Sequence, residues 1–129
     1  MSVIRSLARP MLAAPFILGG IAVLRSPGGR VEAARPVVER VAAMIPIAPA
    51  DPETAVRLNA AVHVGAGGML AAGILPRLAA LALATSLVPT TIAGHAFWAI
   101  GDPQKRAMQR TQFLKNTAIM GGLLITALD

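Results

Sequence analysis

The chain has 129 residues, of which 55% are hydrophobic and 14% charged, and its mean hydropathy is +0.64. Soluble domains carry about 25% charged residues, so this composition favours a membrane protein. The net charge of +6 comes from basic residues that flank apolar runs and are not interleaved with aromatic residues, which argues against nucleic acid as a partner. Such a distribution is typical of a topology signal and of attraction to membrane lipid. The chain has no cysteine and hence no thiol chemistry, and its length predicts one domain, residues 1–129.

Residues 5–24 predict the first membrane helix, because about twenty apolar residues cross a hydrocarbon core of roughly 30 Å. Arg5 and Arg9 precede the apolar run, as they would in a signal peptide. No small-x-small cleavage site follows the run, however, so we interpret it as a retained helix.

The segment after Ser26-Pro27-Gly28-Gly29 is too polar to span and predicts an amphipathic helix in the interface plane. Its apolar residues recur at spacings of three or four: Val31, Ala34, Val38, Val41 and Ile45. Pro36 disfavours helix at the residue before it, so we expect the regular part to begin at Pro36 and to end before Pro46. An equal alternative is a loop helix that only caps the bundle.

Three further spans are predicted, over residues 53–74, 77–100 and 104–128. Asp51-Pro52 and Asp102-Pro103 each supply an N-cap and a first-turn proline, and Pro89 is expected to kink the third span. The predicted fold is therefore an all-α membrane protein. It is a four-transmembrane-helix bundle with the amphipathic segment between helices 1 and 2, and both termini lie on one side.

The second span is rich in small residues. Ala61/Gly65 and Gly68/Ala72 have the small-xxx-small spacing that lets membrane helices approach closely, which predicts that Gly65 and Gly68 face a neighbouring helix. A phosphate-binding loop is disfavoured, because no strand precedes the glycines.

Polar residues of three spans fall in one half of the predicted bundle. Connectivity places the start of the second span, the end of the third and the start of the fourth on the same side. These spans carry six candidate site residues: Arg57, Asn59, His63, His95, Lys115 and Asn116. Ionisable and amide side chains inside a membrane are costly and often functional, so we expect the set to form a pocket for an anion or a quinone carbonyl.

Each of these residues also has a purely structural interpretation. Arg57 and Lys115 can snorkel to the membrane surface, and His95 can belong to an aromatic belt with Trp98. Asn59 and His63 can bond across to a neighbouring helix. Two histidines without a carboxylate make a poor metal site, so no metal is expected, and no catalytic residue is predicted.

Basic residues give an expected orientation. Nine of the twelve lie on the side of the first and third loops and three on the side of the termini. The positive-inside rule then places the loops in the cytoplasm and both termini outside a multi-pass cell-membrane protein. Arg5 and Arg9 oppose this assignment.

The sequence resembles the DoxX family of small four-helix membrane proteins. The resemblance rests on Pro89-Thr90-Thr91 with Gly94-His95-Ala96-Phe97-Trp98, Gln112-Phe113-Leu114-Lys115-Asn116 and Gly121-Gly122-Leu123-Leu124, and on the N-terminal Ala8-Arg9-Pro10 with Gly19-Gly20. It covers nearly the whole chain and is strongest after Pro76. The resemblance implies a link to thiosulfate and quinone oxidation, or to oxidative-stress and thiol metabolism.

From this we expect an integral membrane component of a quinone-linked respiratory or oxidoreductase system. No covalently bound cofactor is expected, and the site would hold a quinone head group or a small anion. Without cysteine, a redox step would need a quinone or another membrane subunit, so the chain is not expected to be catalytic on its own. The alternative is a non-catalytic accessory, structural or lipid-binding subunit of a larger respiratory complex.

Overall fold

Five α-helices make up most of the chain. The computed structural model describes residues 2–129, within which helices alternate with short connections and no strand occurs. The helices are α1 (Val3–Arg25), α2 (Arg30–Met44), α3 (Pro52–Ala72), α4 (Pro76–Gly94) and α5 (Pro103–Leu128), with a 3-10 turn at Phe97–Ala99. The predicted all-α class is confirmed.

Two stretches of residues 2–129 are long and apolar enough to cross a membrane, Val3–Arg25 and Pro76–Ala99. Both carry exposed apolar side chains along one stripe: Ile4, Leu7, Met11 and Leu18 on α1, and Leu78, Leu81, Val88 and Ile92 on α4. Such stripes suit contact with lipid. Helices α3 and α5 carry more polar residues, so spanning by these two helices stays a prediction.

The most extensive contact between helices is that of α1 with α3. A methyl group added at Gly20 would lie 2.7 Å from Val64 Cγ2 and 2.8 Å from the Ala60 carbonyl oxygen, and one at Gly67 would lie 2.9 Å from Ile17 Cγ1. The two glycines therefore let the backbones approach. Beside this contact lies the apolar core, which consists of Ala13, Phe16, Leu70, Ala79, Ala80, Leu83, Ala84, Leu87 and Leu123.

The prediction for Gly65 and Gly68 is wrong. Both are exposed, and a methyl group at either would meet nothing within 4 Å. The buried face of α3 instead follows Ala60, His63, Gly67 and Leu70. The small-xxx-small pairs occupy the outward face, because the sequence pattern does not say which of two small-residue faces meets a neighbour.

The predicted start of the amphipathic helix is also wrong, since α2 begins at Arg30 and continues through Pro36. Proline removes one backbone hydrogen bond, to the carbonyl of Glu32, but the same turn is held by a side-chain pair. Arg35 Nη2 donates to Glu32 Oε1 at 2.7 Å and Nε donates to Oε2 at 3.1 Å. These hydrogen bonds lower the pKa of the Glu32 carboxyl. The helix ends at Met44, before Pro46 as expected.

The third predicted span, residues 77–100, matches the apolar stretch Pro76–Ala99 but is not one continuous helix. Helix α4 ends at Gly94, and His95, with φ −133° and ψ 41°, lies just beyond the helix. The chain then turns across to α5, where Phe97 and Trp98 pack edge-on against Phe113, with ring centroids 5.4 and 5.8 Å apart. The helix ends here because Gly94 tolerates a helix terminus and because the aromatic residues that follow gain packing against Phe113. This packing is more favourable than continuing the apolar helix.

Capping fixes where α3 begins. Asp51 Oδ2 accepts hydrogen bonds from the Thr54 hydroxyl at 2.7 Å and the Thr54 amide at 2.9 Å. The two bonds lower the pKa of the Asp51 carboxyl, so the cap persists above the ordinary pKa of aspartate and is lost as the pH falls through the lowered value. Helix α3 closes at Gly73, whose φ of 74° suits glycine.

Both described ends of the chain lie at the same end of the bundle. Arg5 forms an ion pair of 3.9 Å with the Asp129 carboxylate, and Arg77 donates to the Asp129 backbone carbonyl. At the opposite end, Arg57 Nη1 donates to the Leu24 carbonyl oxygen at 3.0 Å. We call this opposite end the loop end. It joins the C-terminus of α1 to the first turns of α3.

We expect Gly20→Ala to lower the thermal stability of the purified protein and Gly65→Ala to leave it unchanged or raise it. The methyl group at position 20 meets a backbone oxygen that cannot move without displacing α3, and overpacking of this kind costs roughly 1–3 kcal/mol. At Gly65 the methyl group meets open space, and alanine favours helix. Equal melting temperatures for the two variants in the same detergent would contradict the assigned contact.

Candidate functional site

A cavity of about 670 Å³ lies at the loop end of the bundle. All five helices contribute to its lining, and α2 packs on α3 and α4 above it. Most lining residues are small or apolar. The polar and charged lining residues are Arg30, Asn59, His63, Thr90, His95, Lys115 and Asn116. Five of the six predicted site residues therefore line one cavity.

Arg57 is the predicted site residue that lies outside this lining. It is exposed, and its guanidinium is held by Glu53 Oε1 at 3.2 Å and by the Leu24 carbonyl oxygen. The carboxylate four residues earlier on the same helix face neutralises the charge. Arg57 thus joins α1 to α3 at the edge of the site.

His63 is the most enclosed ionisable group of the cavity, with 8% of its surface exposed. Its ring meets Phe16 edge-on, with ring centroids 5.1 Å apart, and its Nε2 lies 3.5 Å from Asn59 Nδ2. Both neighbours also line the cavity. Packing on Phe16 fixes the ring plane, and a hydrogen bond with the Ser86 backbone also holds the ring, so His63 forms a fixed part of the cavity wall.

Two adjacent threonines of α4 hold the amides of the neighbouring helices. Asn59 of α3 donates to Thr90 Oγ1 at 2.6 Å, and Asn116 of α5 donates to Thr91 Oγ1 at 3.0 Å. Thr90 in turn donates to the Ser86 carbonyl oxygen at 2.9 Å. Thr91 and Asn116 are buried. The asparagine amides therefore have a structural role, because they bond α3 and α5 to α4.

His95 lies at the C-terminus of α4, and its Nδ1 is 2.6 Å from Gln109 Oε1. An amide oxygen only accepts, so Nδ1 carries a proton and donates it to this bond, while Nε2 is left for an occupant. Gln109 was not among the predicted residues. Its spacing of seven from Asn116, and of fourteen from the buried Leu123, marks the inward face of α5 and is the signal that could have found it.

Lys115 supplies charge without a protein partner. Within residues 2–129 its ammonium has neither a hydrogen bond nor an ion pair. It lines the cavity together with Arg30, and the described lining residues include no aspartate or glutamate. The site therefore combines positive charge and hydrogen-bond donors with an apolar wall, which suits an occupant that bears negatively polarised oxygens.

The arrangement offers binding groups and no evident catalytic pair. Neither histidine contacts a hydroxyl that could act as its nucleophile in the described bonds, since Thr90 and Thr91 are engaged by amides. Within residues 2–129 no three His, Cys, Asp or Glu side chains come close enough to hold a metal ion.

Comparison with known proteins identifies the family. The DoxX family model matches residues 4–96, which is well over half of the chain. The chain belongs to the DoxX family. This membership, with two helices apolar enough to span, makes it a membrane protein of a family often linked to oxidoreductase and stress systems. No curated protein and no solved structure was found to match it.

The DoxX match covers α1 to α4 and stops before α5. Asn59, His63 and His95 lie inside the matched range, and Lys115 and Asn116 lie beyond it. The residues of α5 that resemble the family are therefore not part of the match, and their place in the site rests on the geometry of this chain.

We expect the Asn59–Thr90 bond to stabilise the bundle, and a double-mutant cycle tests this. Asn59→Leu and Thr90→Val should each lower the stability, and the double variant should lose less than the sum. Coupling energies of interhelical bonds average about 0.6 kcal/mol in a measured membrane protein and reach about 1.7 kcal/mol. The cycle of Asn59 with Thr91, which Asn59 does not bond, is the control. Equal coupling in both cycles would contradict the assignment.

Proposed function

We propose that this DoxX protein is an integral membrane component of a quinone-linked oxidoreductase system, and that its cavity binds a quinone head group or a small anion. The observation that carries the proposal is the unpaired Lys115 at a cavity that is also lined by His63 and His95 and that has no aspartate or glutamate among its described lining residues. A quinone carbonyl or an oxyanion would accept hydrogen bonds from Lys115, and from His95 Nε2 when that imidazole carries both of its protons.

In this proposal the chain binds and orients the ligand, and a partner subunit carries out electron transfer. The His95–Gln109 bond would fix the rotation of the imidazole, and Phe16 would fix that of His63. The apolar lining from α1 and α2 would exclude water, which strengthens each hydrogen bond to the ligand. No catalytic step is assigned to this chain.

The proposal includes the four-span topology. Helices α1 and α4 would span together with α3 and α5, while α2 would lie at the interface over the loop end. Their shared packing supports this, because α3 lies between α1 and α4 in close contact with both, and α5 packs on α4. Helix α5 is 26 residues long, so at about 1.5 Å per residue its charged first turns would extend beyond the hydrocarbon core.

An alternative is that the protein is an accessory or structural subunit, or a lipid-binding one, of a larger respiratory complex. The outward face of α3, with Ala61, Gly65, Gly68 and Ala72, favours it, because small residues allow close approach of another helix. Gly65→Leu and Gly68→Leu should then weaken co-purification with partner subunits and leave the isolated protein as stable as the parent.

We expect Lys115→Met to weaken binding of a short-chain benzoquinone or of thiosulfate by the purified protein roughly tenfold. Hydrogen bonds to charged groups contribute about 1.5–3 kcal/mol, and Lys115 is partly solvated, so the lower part of that range applies. Lys105→Met is the matched control, because Lys105 is exposed on the same helix and does not line the cavity. Titration calorimetry measures both. Equal affinities of the two variants would show that Lys115 does not contribute to ligand binding and would contradict the proposed site.

We expect cysteines introduced by Ser2→Cys and Asp129→Cys to be labelled from the same side of the membrane. An even number of spans returns the chain to the side where it starts. Impermeant maleimide added to sealed vesicles of either orientation provides the measurement. Labelling from opposite sides would mean an odd number of spans and would contradict the four-span topology.

A further inference from the structure

The wall of the cavity that α2 supplies is apolar beyond the first residue of the helix. After Arg30 at its N-terminus, α2 contributes Ala33, Ala34, Val37, Val38 and Val41. Val23 of α1 and Val56 of α3 extend this apolar surface. Apart from Arg30, the hydrogen-bonding groups that remain available are those of His95 and Lys115, which come from the end of α4 and from α5. The cavity thus has a polar side and an apolar side.

The volume of the cavity is too large for a small ion alone. At about 30 Å³ per molecule in the liquid, 670 Å³ corresponds to roughly twenty waters. A tetrahedral oxyanion would occupy a small part of this volume and would leave water against the valine side chains. Burial of those side chains by an apolar group is favourable, at about 25 cal/mol per Å².

We infer that the ligand is an amphiphile with a polar, oxygen-bearing head and a long apolar chain, whose chain lies against the valines of α2. This inference rests on the proposed function and narrows it, because it excludes small soluble anions as the principal ligand. The head accepts hydrogen bonds from Lys115, and from His95 Nε2 when that imidazole carries both of its protons. The apolar stripes on the outer faces of α1 and α4 place the protein in the phase where such amphiphiles are dissolved.

A chain-length comparison in nanodiscs tests the inference. The probes are a benzoquinone with a methyl group only, the same quinone with a ten-carbon chain, and decanoate beside acetate. Each affinity is expressed as the mole fraction of probe in the lipid at half-saturation. The partitioning of a probe into lipid is then the same for every protein variant. We expect the ten-carbon form of at least one head group to bind more than tenfold tighter than its short form.

Matched substitutions on α2 show where the apolar chain of the ligand lies. Val37→Asn and Val41→Asn change half-buried lining residues, and Val31→Asn changes a half-buried valine of the same helix that does not line the cavity. We expect the first two variants to weaken binding of the long-chain probe at least fivefold and to spare the short one. Val31→Asn should change neither, and Lys115→Met should weaken both.

The outcomes separate the inference from the proposal on which it rests. Chain dependence of the quinone alone identifies a quinone with a long side chain, and chain dependence of decanoate alone identifies an anionic lipid; both support the inference. If neither the quinone nor the carboxylate binds more tightly in its ten-carbon form, or if the three valine variants behave alike, the inference is overturned and the proposed function stands. Absence of binding by every probe overturns both.

Discussion

The site depends on two hydrogen bonds that α4 accepts from the neighbouring helices α3 and α5 just after Pro89. Amide side chains inside an apolar bundle need partners, because an unsatisfied polar group there costs several kcal/mol. Thr90 and Thr91 are adjacent, so their side chains point to different sides of α4, and each accepts from one asparagine. One dipeptide thereby fixes the rotation of α3 and of α5. Those rotations decide which side chains reach the cavity.

Once α3 and α5 are fixed, the neighbours of the asparagines follow. His63 is one helical turn after Asn59 and therefore lies on the same face, against Phe16. Lys115 directly precedes Asn116, so it is rotated by about 100° from the buried amide and reaches the cavity from its edge. This explains why a buried asparagine and an exposed, unpaired lysine adjoin one another. The structural role of the amides and the binding role proposed for the cations thus use the same helix positions.

The sequence predicted the all-α class and the starts of α3 and α5, and five of the six predicted site residues line the cavity, because caps and connectivity are local signals. It failed where the outcome depends on contacts between helices. The choice of Gly67 over Gly65 is set by the side chains of α1, and the end of α4 is set by Phe97 packing on Phe113. Arg57 was misplaced because its charge is satisfied by Glu53 on its own helix. Gln109 was missed because the third span was expected to continue to residue 100. That expectation kept His95 inside the helix, whereas His95 lies just beyond it and bonds Gln109.

The close approach of α1 to α3 also has a consequence for the cavity. Gly20 brings the α1 backbone against α3 next to His63, with a methyl group at Gly20 only 3.2 Å from His63 Cβ. At the loop end, a hydrogen bond from Arg57 also joins the C-terminus of α1 to α3. Helix α2 packs instead across α3 and α4, and its valine face covers a space that α1 and α5 border. The cavity therefore lies between the tightly packed pair α1–α3 and the valine face of α2, and an apolar chain is the occupant we propose there, because its burial against valine side chains is favourable.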